Sequence, residues 1–207
     1  PLLIASYDIE VISGDGSFPQ AFRESDKIVS ICTTFTKYGS DQIIKSSAIG
    51  LKSSAKIENA DEKEMYETEK EVMLAWRDLI IREDPDIITG YNIFGFDNRY
   101  LYERSKHPKI NCLKEFSKLS RIKDLECKYE EKHLSSSGLG DNIMYYFNML
   151  GREQIDLMKM VQQDHKFKLI YEVDDVVFRE DIPDYNKFKF AFDNDEIRNN
   201  CVEIINM

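Results

Sequence analysis

Apolar residues recur along this chain with two different periods, and the change of period divides it. Leu2 to Ile9 is mostly apolar and reads as a buried strand. Ile28 to Phe35 (IVSICTTF) is rich in β-branched residues and reads as a second strand. Gln42 to Ile49 reads as a third. Between them, Val11 to Asp26 carries Gly14, Gly16 and Pro19 and reads as a loop, and Tyr38 to Asp41 as a turn. Three consecutive strands with short links predict an antiparallel meander.

From about Asp61 the spacing becomes helical, with Val72, Trp76, Leu79 and Ile80 on one face and Glu and Lys between them. Pro85 ends that helix. Asp86 to Thr89 reads as a short buried strand, Gly90 to Phe96 as a turn, and Asp97 to about Ser105 as a helix. Lys106 to Glu131 reads as helix plus loop, and Ser135 to Gly138 as a loop. Ile143 to Leu150 and Gly151 to Asp156 read as strands, and Leu157 to Asp164 as a helix. Val173 to Asn194 is acidic, aromatic and irregular, and a last helix is expected over Asp195 to Met207. Strands first, then helices alternating with strands, predict an α/β fold: a mixed sheet flanked by helices.

Composition narrows the classes. A chain of 207 residues with 42% apolar and 32% charged residues suits an ordinary globular domain. No uncharged apolar stretch is long enough to span a membrane. The first residues, from Pro1 to Asp8, have no basic n-region and read as a strand already in progress; the last, Glu203 to Met207, stop inside an apolar run. Both ends are therefore expected to be cuts in a longer chain. Cys32, Cys112, Cys127 and Cys201 form no Cys-x-x-Cys pair, and there are only three His, which argues against zinc and for reduced thiols in an intracellular protein. The net charge of −10 argues against autonomous tight binding of nucleic acid. An active site of carboxylates and divalent metals is acidic by design, however. The segment from Leu101 to Leu125 also runs the other way, with seven Lys or Arg against three Asp or Glu.

Two clusters carry candidate chemistry. In Asp8-Ile9-Glu10, residues two apart on a strand project from the same face, so two carboxylates stand side by side at the end of an apolar strand. Like charges held close repel, and hard oxygen ligands suit Mg²⁺ or Mn²⁺. The plainer reading is an exposed strand end with two ordinary acids. In Asp86 to Arg99 (DIITGYNIFGFDNR), a strand runs through a Gly turn into a helix, which puts Asn92 and Asp97 at the edge of a sheet, where α/β proteins commonly hold sites. The plainer reading is a helix N-terminal acid and a turn asparagine.

Taken together these segments resemble the 3′→5′ proofreading exonuclease domain of the family B DNA polymerases. Asp8-Ile9-Glu10 is similar to the first exonuclease motif, and Asp86 to Asp97, with its Asn92 and then Phe96-Asp97, to the second. The approach Trp76 to Asp86, the segment Phe18-Pro19 with Asp26-Lys27-Ile28-Val29, and the stretches Leu134 to Asn142 and Gly151 to Leu157 extend the resemblance over most of residues 2 to 177. Details after Gly138 are similar to delta-type enzymes of eukaryotes and large DNA viruses. The resemblance implies a ribonuclease-H-like fold and hydrolysis of the 3′-terminal phosphodiester with two ions, Mg²⁺ or Mn²⁺. Asp8, Glu10 and Asp97 would be catalytic metal ligands. Asn92 and Phe96 would touch the DNA, with core packing as the alternative for Phe96. The partners implied are the single-stranded 3′ end of a primer and the remainder of a polymerase chain, at sites of replication in a nucleus or viral compartment.

The family's third motif is Tyr-x-x-x-Asp on a later helix. Tyr171 to Asp175 is the one such spacing here, but the register of the resemblance places the motif on the helix Glu196 to Met207, with Ile204 at the Tyr position and the Asp beyond Met207. On that register the 207 residues are an exonuclease domain lacking its third acid, and cleavage by the isolated chain is expected to be poor. Asp156 is expected to cap the helix from Leu157, and Arg152 to pair with a nearby acid. The alternative function is a non-catalytic, DNA-guiding module of the same fold.

Overall fold

The first apolar run forms β1 (Leu3–Ile12) in a computed structural model that describes residues 1–52, 60–136 and 140–165. It alternates strictly where it matters: Ala5, Tyr7 and Ile9 are buried, while Asp8 and Glu10 are exposed. It pairs antiparallel with β2 (Lys27–Lys37), which pairs antiparallel with β3 (Ile43–Leu51), so the expected meander is present. β1 runs three residues further than its apolar pattern, past a register shift between Glu10 and Val11.

Next comes a strand that hydrophobic periodicity missed. β4 (Glu62–Tyr66) lies parallel to β3 at the sheet edge, where the helical pattern was expected to begin. Its sequence, EKEMY, is polar because an edge strand keeps much of its surface in water. The helix α1 (Glu69–Glu83) starts only after it, at a capping box in which Thr68 and Glu71 satisfy each other's backbone amides. It ends at Asp84, which adopts φ 52° before Pro85. A residue before proline is excluded from continuing the helix.

β5 (Ile87–Gly90) pairs parallel with β1, and β8 (Glu153–Asp156) pairs parallel with β5. The six strands run in the order β4-β3-β2-β1-β5-β8. Between β5 and β8 lie α2 (Asp97–Lys106), the single turn α3 (Leu113–Phe116), and a two-stranded ribbon of β6 (Lys128–Ser136) and β7 (Gly140–Asn148). β6 thus takes in the end of the segment read as helix plus loop, and Ser135 and Ser136 are strand rather than loop. The last described helix is α4 (Leu157–His165). No described helix is long and apolar enough to cross a membrane.

The described residues fall into two compact units. The first, Pro1–Leu134 with Asn142–Leu157, contains the six-stranded sheet and α1 to α3. Its core gathers one face of the sheet under α1: Trp76 lies 4.8 Å from the Tyr7 ring and 6.0 Å from Phe116, and its Nε1 donates to Thr33 Oγ1 at 3.1 Å. The buried Arg104 of α2 forks onto both oxygens of the buried Glu69 at 2.6 and 2.8 Å. It also donates to the carbonyls of Ala21 and Arg23, tying the β1–β2 loop to α2. Of the second unit, the described residues are 135–136, 140–141 and 158–165, which carry α4. Tyr171, Asp175, the acidic stretch 173–194 and the helix expected over 195–207 lie outside the described residues.

Candidate active site

Asp8 and Glu10 stand on the sheet face opposite α1, across from Cys32 and Ser30 of β2. Beyond Ser6, β1 has lost its other neighbour, because β5 pairs only with Ile4, Ala5 and Ser6 before its chain leaves the sheet. Gly90 marks that departure. A side-chain carbon there would meet the Tyr7 carbonyl oxygen at 2.5 Å, so only glycine lets the two backbones cross so closely. The turn that follows brings Asp97, first residue of α2, back against β1, and its Oδ1 accepts the Ile9 amide at 3.2 Å. The acid stands in for the missing strand. Since Ile9 N is bonded to the Asp8 carbonyl carbon, this puts the Asp97 carboxylate within about 6 Å of Asp8 Cα.

Asp97 is thus brought beside Asp8, and Glu10 follows Asp8 on the same face of β1. Burial, and then the charge of Glu10, push Asp8 up to about 6. Asp97 is 3% exposed; burial, and then the charge of Asp8, push it up to about 8. A set of oxygen donors whose negative charge is opposed by burial and by one another has the chemistry that a hard divalent cation relieves. Among the described residues, no three His, Cys, Asp or Glu side chains already converge as a ligand set.

The turn between β5 and α2 is held from beneath. Asn92 has φ 58°, in the left-handed region that asparagine tolerates, and its carbonyl accepts the amides of Gly95 and Phe96 at 2.9 and 3.0 Å. Asp156, the last residue of β8, is 2% exposed and accepts the amides of Asn92 and Phe94, one on each oxygen, at 3.0 and 2.8 Å. Sequence reading gave Asp156 only a helix cap. The missed signal was an acid ending a strand that pairs with the strand before the turn. Asn98 was also missed: it is 1% exposed, its Oδ1 accepts from Tyr7 Oη at 2.8 Å, and its Nδ2 donates to the Tyr145 carbonyl. Arg152 pairs with an acid as expected, donating to Asp84 Oδ1 at 2.7 Å.

Phe96 is partly buried against the core, with its ring 5.5 Å from Phe18 and 5.4 Å from Tyr100. Phe18, on the β1–β2 loop, is 67% exposed, so an aromatic edge reaches solvent one residue from Asp97. A groove of about 350 Å³ lies beside Phe94, lined by Met144, Tyr146, Phe147 and Gln154 among others, and includes none of the three acids.

A mixed sheet in which an Asn-containing strand-to-helix turn brings an acid of α2 beside an acid of β1 agrees with the family that the chain matches. The family described as DNA polymerase family B, exonuclease domain, matches residues 1–176, and this chain belongs to it. Its fold is accordingly ribonuclease-H-like. The chain is 39% identical over 166 residues to the DNA polymerase delta catalytic subunit of Arabidopsis thaliana, covering 80% of this chain and 15% of that protein. It is 39% identical over 153 residues to the DNA polymerase of Pyramimonas orientalis virus, covering 74% and 12% respectively. With the DNA polymerase of Acanthamoeba polyphaga mimivirus the identity is 31% over 243 residues, covering 85% and 14%. The chain thus spans about one seventh of the length of these relatives.

Proposed function

We propose that this chain hydrolyses the 3′-terminal phosphodiester of single-stranded DNA, as the proofreading module of a delta-type polymerase acting where DNA is replicated inside the cell. The observation that carries the reading is the hydrogen bond from the Ile9 amide to Asp97 Oδ1, which joins the two acidic motifs across 88 positions of sequence. Asp8, Glu10 and Asp97 are the residues that would hold two Mg²⁺ or Mn²⁺ ions. Such ions lower the pKa of a water and neutralise charge that develops at phosphorus and on the leaving 3′ oxygen.

The chain's own residues do the rest. Ile9 fixes Asp97, while Asp8 and Glu10 project from the same face of β1, where one cation could reach both. Asn92 holds the turn that delivers Asp97, and its side chain would touch the DNA there. The Phe18 and Phe96 rings offer an aromatic edge on which a terminal base can lie without regard to its identity. Cationic cover for a DNA backbone would come from the rest of a polymerase chain, since this portion carries a net charge of −10.

The test uses 3′-extending single-stranded DNA with Mn²⁺, and this chain carried within a longer polymerase chain, with and without Asp8→Ala. Shortening from the 3′ end should fall by about 100-fold or more in the variant, with the melting temperature preserved. DNA binding with no shortening by either protein, even within a longer polymerase chain, would favour a guiding module instead.

A further inference from the structure

The six residues between β5 and α2, 91–96, leave the sheet. Where a backbone turns through a left-handed residue, successive N–H groups converge and make a nest for an anion. Such a nest forms here around Asn92, with φ 58°, and its anion is the protein's own: the two oxygens of Asp156 accept the Asn92 amide at 3.0 Å and the Phe94 amide at 2.8 Å. Only a carboxylate fits, because an amide side chain would set an NH₂ against one of the two donors.

Asp156 is itself tightly placed. It pairs with Gly90 at the end of β8, and the neighbouring Ile155 carbonyl accepts from Thr89 Oγ1 at 2.8 Å. From Asp156 the bonds run on without a gap. The Asn92 carbonyl holds the amides of Gly95 and Phe96, the Ile93 carbonyl holds that of Asn98, and Asp97 lies between the last two. At the far end Asp97 reaches Ile9 of β1.

We propose that Asp156 is a positioning residue for the nuclease site: it sets the height of the turn, and through the turn the place of the Asp97 carboxylate beside Asp8. The proposal rests on the function proposed above. Asp156 touches neither substrate nor ion; it acts through Asn92 and Phe94. Its burial, at 2% exposed, keeps water from replacing it in the nest.

The experiment compares wild-type protein with Asp156→Asn and Asp156→Glu by three measurements. Amide hydrogen exchange is read at Asn92 and Phe94. Mn²⁺ binding is read by paramagnetic broadening of the Asp8 and Asp97 resonances. Cleavage is read as kcat, as KM for single-stranded DNA, and as the Mn²⁺ concentration giving half the maximal rate. In Asp156→Asn the amide left facing the NH₂ should exchange at least about tenfold faster, the Mn²⁺ requirement should rise by roughly 10- to 100-fold, and KM for DNA should hold. Fast exchange with an unchanged Mn²⁺ requirement and unchanged broadening would overturn the proposal, because the turn would then not need holding. Unchanged exchange would overturn it too.

If Asp156→Asn does not fold, Asp156→Glu decides. It keeps both acceptors but displaces them by one methylene, so the amides should stay protected while the Mn²⁺ requirement rises; an unchanged requirement would overturn the proposal. Should wild-type protein cleave no DNA even within a longer polymerase chain, the functional reading fails, and Mn²⁺ broadening with amide exchange still judges the positioning role.

Discussion

A carboxylate placed 3% exposed beside another acid works against folding unless something neutralises it, and Asp97 is in that position. The Ile9 amide at 3.2 Å and its own backbone amide only partly offset that cost. Asp97→Asn keeps an oxygen for the Ile9 amide and removes the charge. With a chelator present, the variant is therefore expected to melt several degrees higher than wild type, a gain of about 1 kcal/mol or more. It should have lost cleavage at the same time, a trade of stability for function at a single atom. Thermal melts in EDTA check the first half, and a lower melting temperature would show that the acid is already neutralised within the protein.

At the scale of elements, the loop between β1 and β2 is built around another buried acid. The Ser25 hydroxyl, and then the amides of Gln20 and Gly14, hold the Asp26 carboxyl below the usual carboxylate range. The Asp26 carbonyl also accepts from Tyr100 Oη of α2 at 3.0 Å. A carboxyl whose folded pKa is depressed stabilises fully above its unfolded value near 4, and that contribution is lost as pH falls through the folded value. Wild type should therefore melt above Asp26→Asn at pH 6 to 7, with the gap closing below about pH 4. A gap that stays constant down to pH 2 would mean that the charge is not what holds the loop. This loop carries Phe18 toward Phe96, so its order belongs to the site as well as to the fold. In sequence it announced itself only as Gly14, Gly16 and Pro19. Asp26 was read as its boundary, because a side chain that bonds amides 6 and 12 residues away leaves no local periodic trace.

For the whole molecule, 38 acids against 28 bases leave a net charge of −10, which repels itself in the compact state. Raising monovalent salt from about 10 mM to about 150 mM shortens the Debye length from roughly 30 Å to roughly 8 Å. The melting temperature of the metal-free chain should rise over that range. Trp76 is the single tryptophan and is 1% exposed in the core of the first unit, so its fluorescence follows the unfolding. A fall in melting temperature with salt would mean that the surface ion pairs, such as Lys45 with Glu62 and Glu83, outweigh the repulsion.

The sequence alone determined the elements whose signals are local. An apolar run placed β1, and the two-residue spacing on it the shared face of Asp8 and Glu10; β-branched runs placed β2; spacing of 3.6 placed the Trp76 face of α1, and Pro85 its end. It did not give β4, whose first three residues are charged and which becomes a strand because β3 offers a free edge. Nor did it give the work of Asp156 and Asn98, each of which bonds residues more than 40 positions away. Motif resemblance brought Asp8 and Asp97 onto one list, but their meeting was decided in three dimensions. β1 outruns β5, leaves the Ile9 amide without a strand partner, and a carboxylate from α2 takes the place of the strand. A hydrogen bond that must be made by whatever the fold brings near cannot be read from spacing, because burial and not sequence distance sets the demand for it.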